Sequence, residues 1–297
     1  MLNIKEVQCK NVVVIDGVLK ELDVVESNAS DGRAYVRATA KIGVDQEIDG
    51  KVIENEIPVK MFSMRLKSDN KTQNVVYDRI VGYREQFTSA AIVDDISQAS
   101  RVRVLAQVEE NSYYDDKKDR IVTGYQFSGS FMNKEKPSDK EECTFEVQGV
   151  VGKMKPETDK NGEETGRLIV SMVVIGFRGK ANVINFIAKD SGKDFILANW
   201  NEGDTVVVTG KIIYSYKTET WQEEQGFGEP ITRTRTVGQR ELLITGGSPG
   251  GANEEMSYDM DSVKIALSER QENLDAMKTK TKAKASAPKV NSLMEDF

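Results

Sequence analysis

The sequence predicts a mainly β chain: two tandem five-stranded barrels, each with one short helix, followed by a flexible, partly helical C-terminal tail. Three observations predict it. Most of residues 1–247 alternate apolar and polar side chains with a period of two and are rich in β-branched and aromatic residues, as half-buried strands are. Residues 1–135 and 141–247 pass through the same order of elements. After the Gly246-Gly247-Ser248-Pro249-Gly250-Gly251 run the composition changes. The expected units are therefore a first barrel at 1–136, a second at 137–247 and a tail at 248–297. A length of 297 residues suits two domains, and 38% hydrophobic with 30% charged residues suits small cores with exposed arms.

In the first unit, strands are expected at 18–26, 33–43 and 57–67, then a helix at 74–87. A hairpin of strands 101–109 and 121–131 follows, with Asp115-Asp116-Lys117-Lys118-Asp119 at its tip. Pro137 and the charged stretch 134–142 mark the joint. In the second unit, strands are expected at 143–154, 167–176 and 181–188, the last two separated by Phe177-Arg178-Gly179-Lys180. A helix at 194–200 and a hairpin of strands 203–213 and 233–244 complete it. Val206, Val208, Gly210 and Ile212 share one face of the fourth strand, and Thr205, Val207, Thr209 and Lys211 the other. Gly210 in mid-strand marks the sharp bend that a small closed barrel needs. Five strands with a helix between the third and fourth is the order of the OB-fold, so each unit reads as OB-fold-like; a pair of other small β-barrels or sandwiches is the alternative. Beyond them, 261–277 fits one amphipathic helix with Val263, Ala266, Leu267, Leu274 and Met277 near one face. That stripe is thin, as in a solvated linker or a helix that forms only against a partner. Residues 278–289 are polar, basic and poor in large apolar side chains, too little to offset ordering entropy.

Composition excludes several chemistries. The chain has no histidine, and Cys9 and Cys143 stand far apart as expected small buried thiols. Zinc sites, Ser-His-Asp and Cys-His triads and a disulfide framework are therefore not expected. No Gly-rich phosphate loop is present, and no cluster of acids stands out for carboxylate–magnesium hydrolysis. No catalytic residue, metal or cofactor is predicted. No apolar run reaches the length of a membrane span, and the first residues lack the pattern of a signal peptide, so a cytoplasmic protein is expected. The net charge of −7 is spread along the chain, so any polyanion binding must come from local arrangement.

The sharpest local pattern is residues 33–42. Arg33, Tyr35, Arg37, Thr39 and Lys41 alternate with Ala34, Val36, Ala38, Ala40 and Ile42. One face is apolar; the other carries three cations and an aromatic ring without an acid, which suits phosphates and stacked bases. The two hairpin arms interleave aromatics and cations in the same way: Tyr113 and Lys117 on the first, Lys211, Tyr214, Tyr216, Trp221, Arg233 and Arg235 on the second. Acids such as Asp115, Asp116 and Glu223 share those arms, and Tyr214 and Tyr216 have the parity of the core residue Ile212, so self-association and plain packing compete with nucleic-acid binding there. Further basic candidates are Lys60 and Arg65 in the first unit and Lys153, Arg167, Arg178 and Lys180 in the second. At the C-terminus, Leu293, Met294, Glu295, Asp296 and Phe297 offer an aromatic ring and carboxylates to a partner's pocket with a basic rim.

Taken together, the barrels, the tail and the Glu295-Asp296-Phe297 ending resemble the single-stranded DNA-binding proteins of bacteria and especially of phages. The bacterial family usually ends in a longer acid run with Pro before Phe; Met294 and two acids stand here, closer to the phage proteins. The resemblance implies a non-enzymatic protein that coats and protects single-stranded DNA in replication or recombination. It implies that residues 293–297 recruit polymerase, helicase or recombinase partners and compete with DNA for the chain's own cationic face. RNA binding is open within this class, as is self-association. The alternative from another class is a virion or assembly structural protein built of two β-barrel domains.

Overall fold

The computed structural model describes residues 2–135, 141–225, 227, 230–251 and 257–286. The first unit contains β1 (Asn11–Asn28), β2 (Ala34–Ile48), β3 (Lys51–Met64), α1 (Val75–Gln86), β4 (Arg101–Asp115) and β5 (Arg120–Lys134). The second contains β6 (Glu142–Thr158), β7 (Glu164–Ile175), β8 (Ala181–Ala188), α2 (Asp190–Asn199), β9 (Thr205–Glu223) and β10 (Ile231–Gly247), and α3 (Met260–Ser286) follows. In the first unit β1 pairs with β2 and β4, β2 with β3, β4 with β5, and β3 closes onto β5 in parallel at Val59↔Phe127. The second unit repeats this closure, with β8 parallel to β10 at Leu243↔Ile187. Both are OB-fold barrels, as the element order predicts. The joint expected at 136–137 lies at the edge of a stretch outside the described residues.

Closing so few strands requires close backbone crossings. A Cβ on Gly17 would lie 2.1 Å from the Gly43 carbonyl oxygen, and one on Gly210 would lie 2.0 Å from that of Leu243. Only glycine fits at either position, and Gly210 is the bend that the sequence marks. Within each barrel, alternate side chains fill the interior. Val36, Ala38, Ala40, Ile42, Ile57 and Val59 are buried in the first, and Phe145, Met172, Ile184, Phe186, Val208 and Ile212 in the second. Helix α1 is capped by the Asn74 side chain, which accepts from the Val76 amide. It lays Tyr77, Ile80 and Tyr83 on the first core, and the Met132 amide donates to Tyr83 Oη at 3.1 Å. Ile196 of α2 and Trp200, just after it, do the same for the second core.

A shared strand pairing and a reaching hairpin help to join the barrels. The first six residues of β1 pair antiparallel with β6, from Asn11↔Val147 to Asp16↔Glu142, so one ten-stranded sheet runs through both. Residues 11–17 precede the expected first strand; Val12-Val13-Val14-Ile15 does not alternate in residue type, yet Val13 and Ile15 are buried while Val12 is exposed and Val14 half-buried, and the stretch pairs with β4 on one edge and β6 on the other. The hairpin is β2–β3, which reaches across to the second barrel. Ile48 packs with Ile187, Ile213 and Leu243, flanked by Ile53 and Ile169. The Tyr214 amide donates to Asn55 Oδ1 at 2.7 Å, and Lys211 Nζ to the Glu47 carbonyl at 2.7 Å. Lys189 pairs with Asp49. Each buried isoleucine contributes about 1.5–3 kcal/mol relative to exposure.

Helix α3 differs from the solvated linker that its thin stripe suggests. Val263, Ala266 and Leu274 are buried, with Tyr258 just before the helix, and the helix packs on β4, β5 and β8. The chain itself is the partner: Arg270 grips Glu110 of β4 through two hydrogen bonds of 2.6 and 2.8 Å. Burial alone would raise the Glu110 carboxyl, but Arg270, Ser112 and the Val183 amide outweigh it and hold it below its ordinary value. Among the described residues no helix is long and apolar enough to cross a membrane.

Candidate functional site

The outer face of β2–β3 in the first barrel is the most open concentration of the predicted residues. Their register places Tyr35 opposite Met64, Arg37 opposite Phe62 and Thr39 opposite Lys60, and directly opposed residues share a face. The Tyr35 and Phe62 rings lie 5.4 Å apart, tilted by 36°. Phe62 is 61% exposed: a large ring turned to solvent beside a second one. No carboxylate pairs with Arg37 among the described residues. Lys60 Nζ donates to the neutral Gln126 Oε1 at 2.9 Å and is exposed on the face. Phe62 escaped the sequence reading, although Lys60-Met61-Phe62-Ser63-Met64 alternates as visibly as residues 33–42.

The acid-free character of that strand does not extend to its neighbours. Lys41 Nζ lies 2.6 Å from Glu21 of β1 and 3.9 Å from Glu56 of β3. The hydrogen bond to Glu21 is the main cause that raises its pKa. Arg33 pairs with Asp31 in the β1–β2 loop at 2.8 Å. Hydrogen bonds from the Arg33 backbone and side chain hold Asp31 below the ordinary carboxylate range. Arg65 stands near Glu26, whose pKa is lowered chiefly by the Tyr77 hydroxyl and Arg84. The freely presented set is therefore Tyr35, Arg37, Lys60 and Phe62.

The equivalent face of the second barrel is of a different kind. Opposed pairs on β7–β8 are Ile169↔Ile187, Ser171↔Asn185 and Val173↔Val183, aliphatic or small polar, and the β2–β3 hairpin covers one side of it. Arg167 lies between Glu157, at 2.7 Å, and Glu241, at 3.0 Å, so its charge is already met. Lys211 is spent on the Glu47 carbonyl. Tyr214 is buried, as its parity with Ile212 indicates. Lys153 is exposed on β6. Arg178 and Lys180 are exposed in the β7–β8 turn, where Arg178, at φ 57°, stacks 5.0 Å from the Phe177 ring centroid. Phe177, 68% exposed, is a second ring that the sequence reading passed over.

The arms divide the remaining candidates. On β9–β10, Trp221 is 46% exposed with the Arg235 guanidinium 5.9 Å from its centroid, and Arg233 pairs with Glu223 at 2.7 Å. Tyr216 is half-exposed, and Arg240, absent from the predicted set, lies 4.8 Å from the Tyr214 ring and 5.9 Å from that of Tyr216. On β4–β5, Tyr113 is 54% exposed and Lys117 sits in the tip turn, its amide donating to Asp115. Between this arm and the second barrel runs a groove of roughly 810 Å³. Leu293, Met294, Glu295, Asp296 and Phe297 lie outside the described residues. Both cysteines are buried and free, and burial pushes the Cys143 thiol up to about 12. Among the described residues no group of His, Cys, Asp or Glu is arranged to hold a metal ion.

Two solved structures share this fold. One is the wild-type single-stranded DNA binding protein from Thermus aquaticus, at a TM-score of 0.51 and 9% identity, covering 85% of this chain and 98% of that one. The other is an internally deleted variant of the same protein, at a TM-score of 0.50 and 9% identity, covering 82% and 95%. At such identity the likeness concerns the fold. No curated protein sequence matches the chain. One family model, YorF, matches residues 10–280, a span that takes in both barrels and most of α3, and the chain belongs to the YorF family.

Proposed function

We propose that this chain is a sequence-nonspecific single-stranded DNA-binding protein whose primary contact is the outer face of β2–β3. The observation that carries the reading is the exposed Phe62 ring beside the half-buried Tyr35 ring, with two accessible cations, Arg37 and Lys60, next to them on an OB-fold sheet. Rings stack on any base and cations meet phosphates, so affinity arises without base readout. The likeness of the fold to a single-stranded DNA binding protein supports the same reading. Phe177 with Arg178, and Trp221 with Arg235, extend the set of ring–cation pairs onto the second barrel and its arm.

The finer roles belong to this proposal. The protein is a binding rather than a catalytic one, of the phage type, and works in the cytoplasm. It covers strands exposed in replication or recombination, and residues 293–297 recruit partner proteins. Deleting those five residues then tightens DNA binding and abolishes recruitment, because a tethered acidic tip competes at high effective concentration.

A fluorescent thirty-base oligothymidine, titrated at low and moderate salt with duplex competitor, tests the reading. Tight binding that weakens with salt and ignores the duplex is the expected result. No binding at low salt refutes it.

A further inference from the structure

We infer that the groove between the two barrels is a second nucleobase-binding site, which takes unpaired bases by their edges where the first barrel's open face stacks them. This rests on the single-strand reading above. One wall is the β4–β5 arm with Tyr113 and Tyr125, the floor is β8 with Asn185 and Ile187, and the far wall is β10 with Gln239 and Arg240. Its volume, roughly 810 Å³, lies within the range of small-ligand sites, about 300–1,000 Å³.

Three features point to a planar polar ligand. The Tyr125 hydroxyl is buried with no hydrogen-bond partner among the described residues, a state a folded chain rarely leaves unanswered. Asn185 accepts from Ser171 Oγ at 2.7 Å, and its amide donors have no acceptor among the described residues. Arg240 stacks on Tyr214 and Tyr216 and donates to Tyr216 Oη at 3.1 Å, with no carboxylate partner among the described residues. The groove's two carboxylates, Glu157 and Glu241, are both spent on Arg167.

One spare cation is too little to hold a run of phosphates, and a hydrocarbon would leave the hydroxyl and amide unmet. A base offers edges to donors and acceptors and a face to Tyr113. The groove's floor is the second barrel's counterpart of the β2–β3 face, roofed here by the first barrel's arm.

The test uses the full chain and a thirty-base oligothymidine carrying 4-thiothymidine, irradiated and mapped by mass spectrometry. Adducts are expected on peptides containing Tyr35 or Phe62 and, separately, on peptides containing Tyr113, Tyr125 or Arg240. Asn185→Trp, which fills the floor from an exposed position, is expected to remove only the second set and to weaken binding roughly tenfold, about the loss of one stacked base. Adducts confined to the first set overturn the groove site and leave the single-strand reading standing. Absence of both binding and adducts overturns both. The wild-type adduct map decides the question even where the variant fails to fold.

Discussion

Phe62→Ala separates recognition from stability. The side chain is 61% exposed, so less than half of its surface contributes to folding, and its removal costs under about 1 kcal/mol of stability. If Phe62 stacks on a base, binding loses about 1–3 kcal/mol, which is about 5- to 140-fold in Kd. Tyr35→Ala should cost a similar amount. The double variant should show coupling, because ring pairs at 5.4 Å contribute about 0.5–1.5 kcal/mol beyond area. Arg37→Ala acts on a different quantity. Each lost phosphate contact lowers the slope of log K against log salt by about 0.7 for single strands, so Arg37→Ala flattens the slope while Phe62→Ala leaves it unchanged. The assay is fluorescence anisotropy of a labelled thirty-base oligothymidine across a salt series, with circular dichroism melts on the same samples. A Kd for Phe62→Ala within twofold of wild type, with an unchanged slope for Arg37→Ala, refutes the assignment of this face.

Three further outcomes follow from the ion pairs and thiols. Arg270→Ala leaves the Glu110 carboxylate, 7% exposed, without its cation; a loss of about 3–5 kcal/mol is expected, read as faster proteolysis or hydrogen exchange across α3, and unchanged exchange refutes the docked helix. Glu157 is held below its ordinary pKa, chiefly by the hydrogen bond from Arg167. That contribution is complete above the unfolded carboxylate value of about 4.3 and is lost as pH falls through the lower folded value. Arg167→Met should therefore flatten the fall of Tm between about pH 5 and pH 2, and an unaltered profile contradicts the pairing. Cys9 and Cys143, both buried with raised pKa values, should resist iodoacetamide at mildly alkaline pH until the chain is unfolded; rapid native labelling of either shows that its cover opens.

Much of the fold is legible because OB strands announce themselves locally. The residues 33–42 alternation became β2, the expected helix at 74–87 became α1 with its caps at Asn74 and Phe87, and Gly210 took the bend. The site was legible only in part. Arg33 and Lys41 read as free cations because their acids come from elsewhere: Asp31 from the preceding loop, and Glu21 and Glu56 from neighbouring strands. Arg167 lost its availability to Glu241, which lies 74 positions away. Helix α3 read as a linker because its stripe is narrow; a few side chains and one ion pair suffice where a prepared surface waits.

By itself, the sequence determined the number of barrels, the element order of each, the inward faces and the absence of histidine chemistry. All of these rest on residue type and short-range periodicity. Tertiary structure decided which of two similar barrels keeps its sheet face open. The Ile48–Ile53 hairpin tip lies more than a hundred residues before Ile187, Ile213 and Leu243, and no local pattern records that they meet. Each of those side chains reads as an ordinary outward residue of its own strand. Only the β1–β6 pairing, which sets the barrels side by side, turns them into one buried contact and leaves Arg37, Lys60 and Phe62 exposed, with Tyr35 half-buried beside them, on the other barrel.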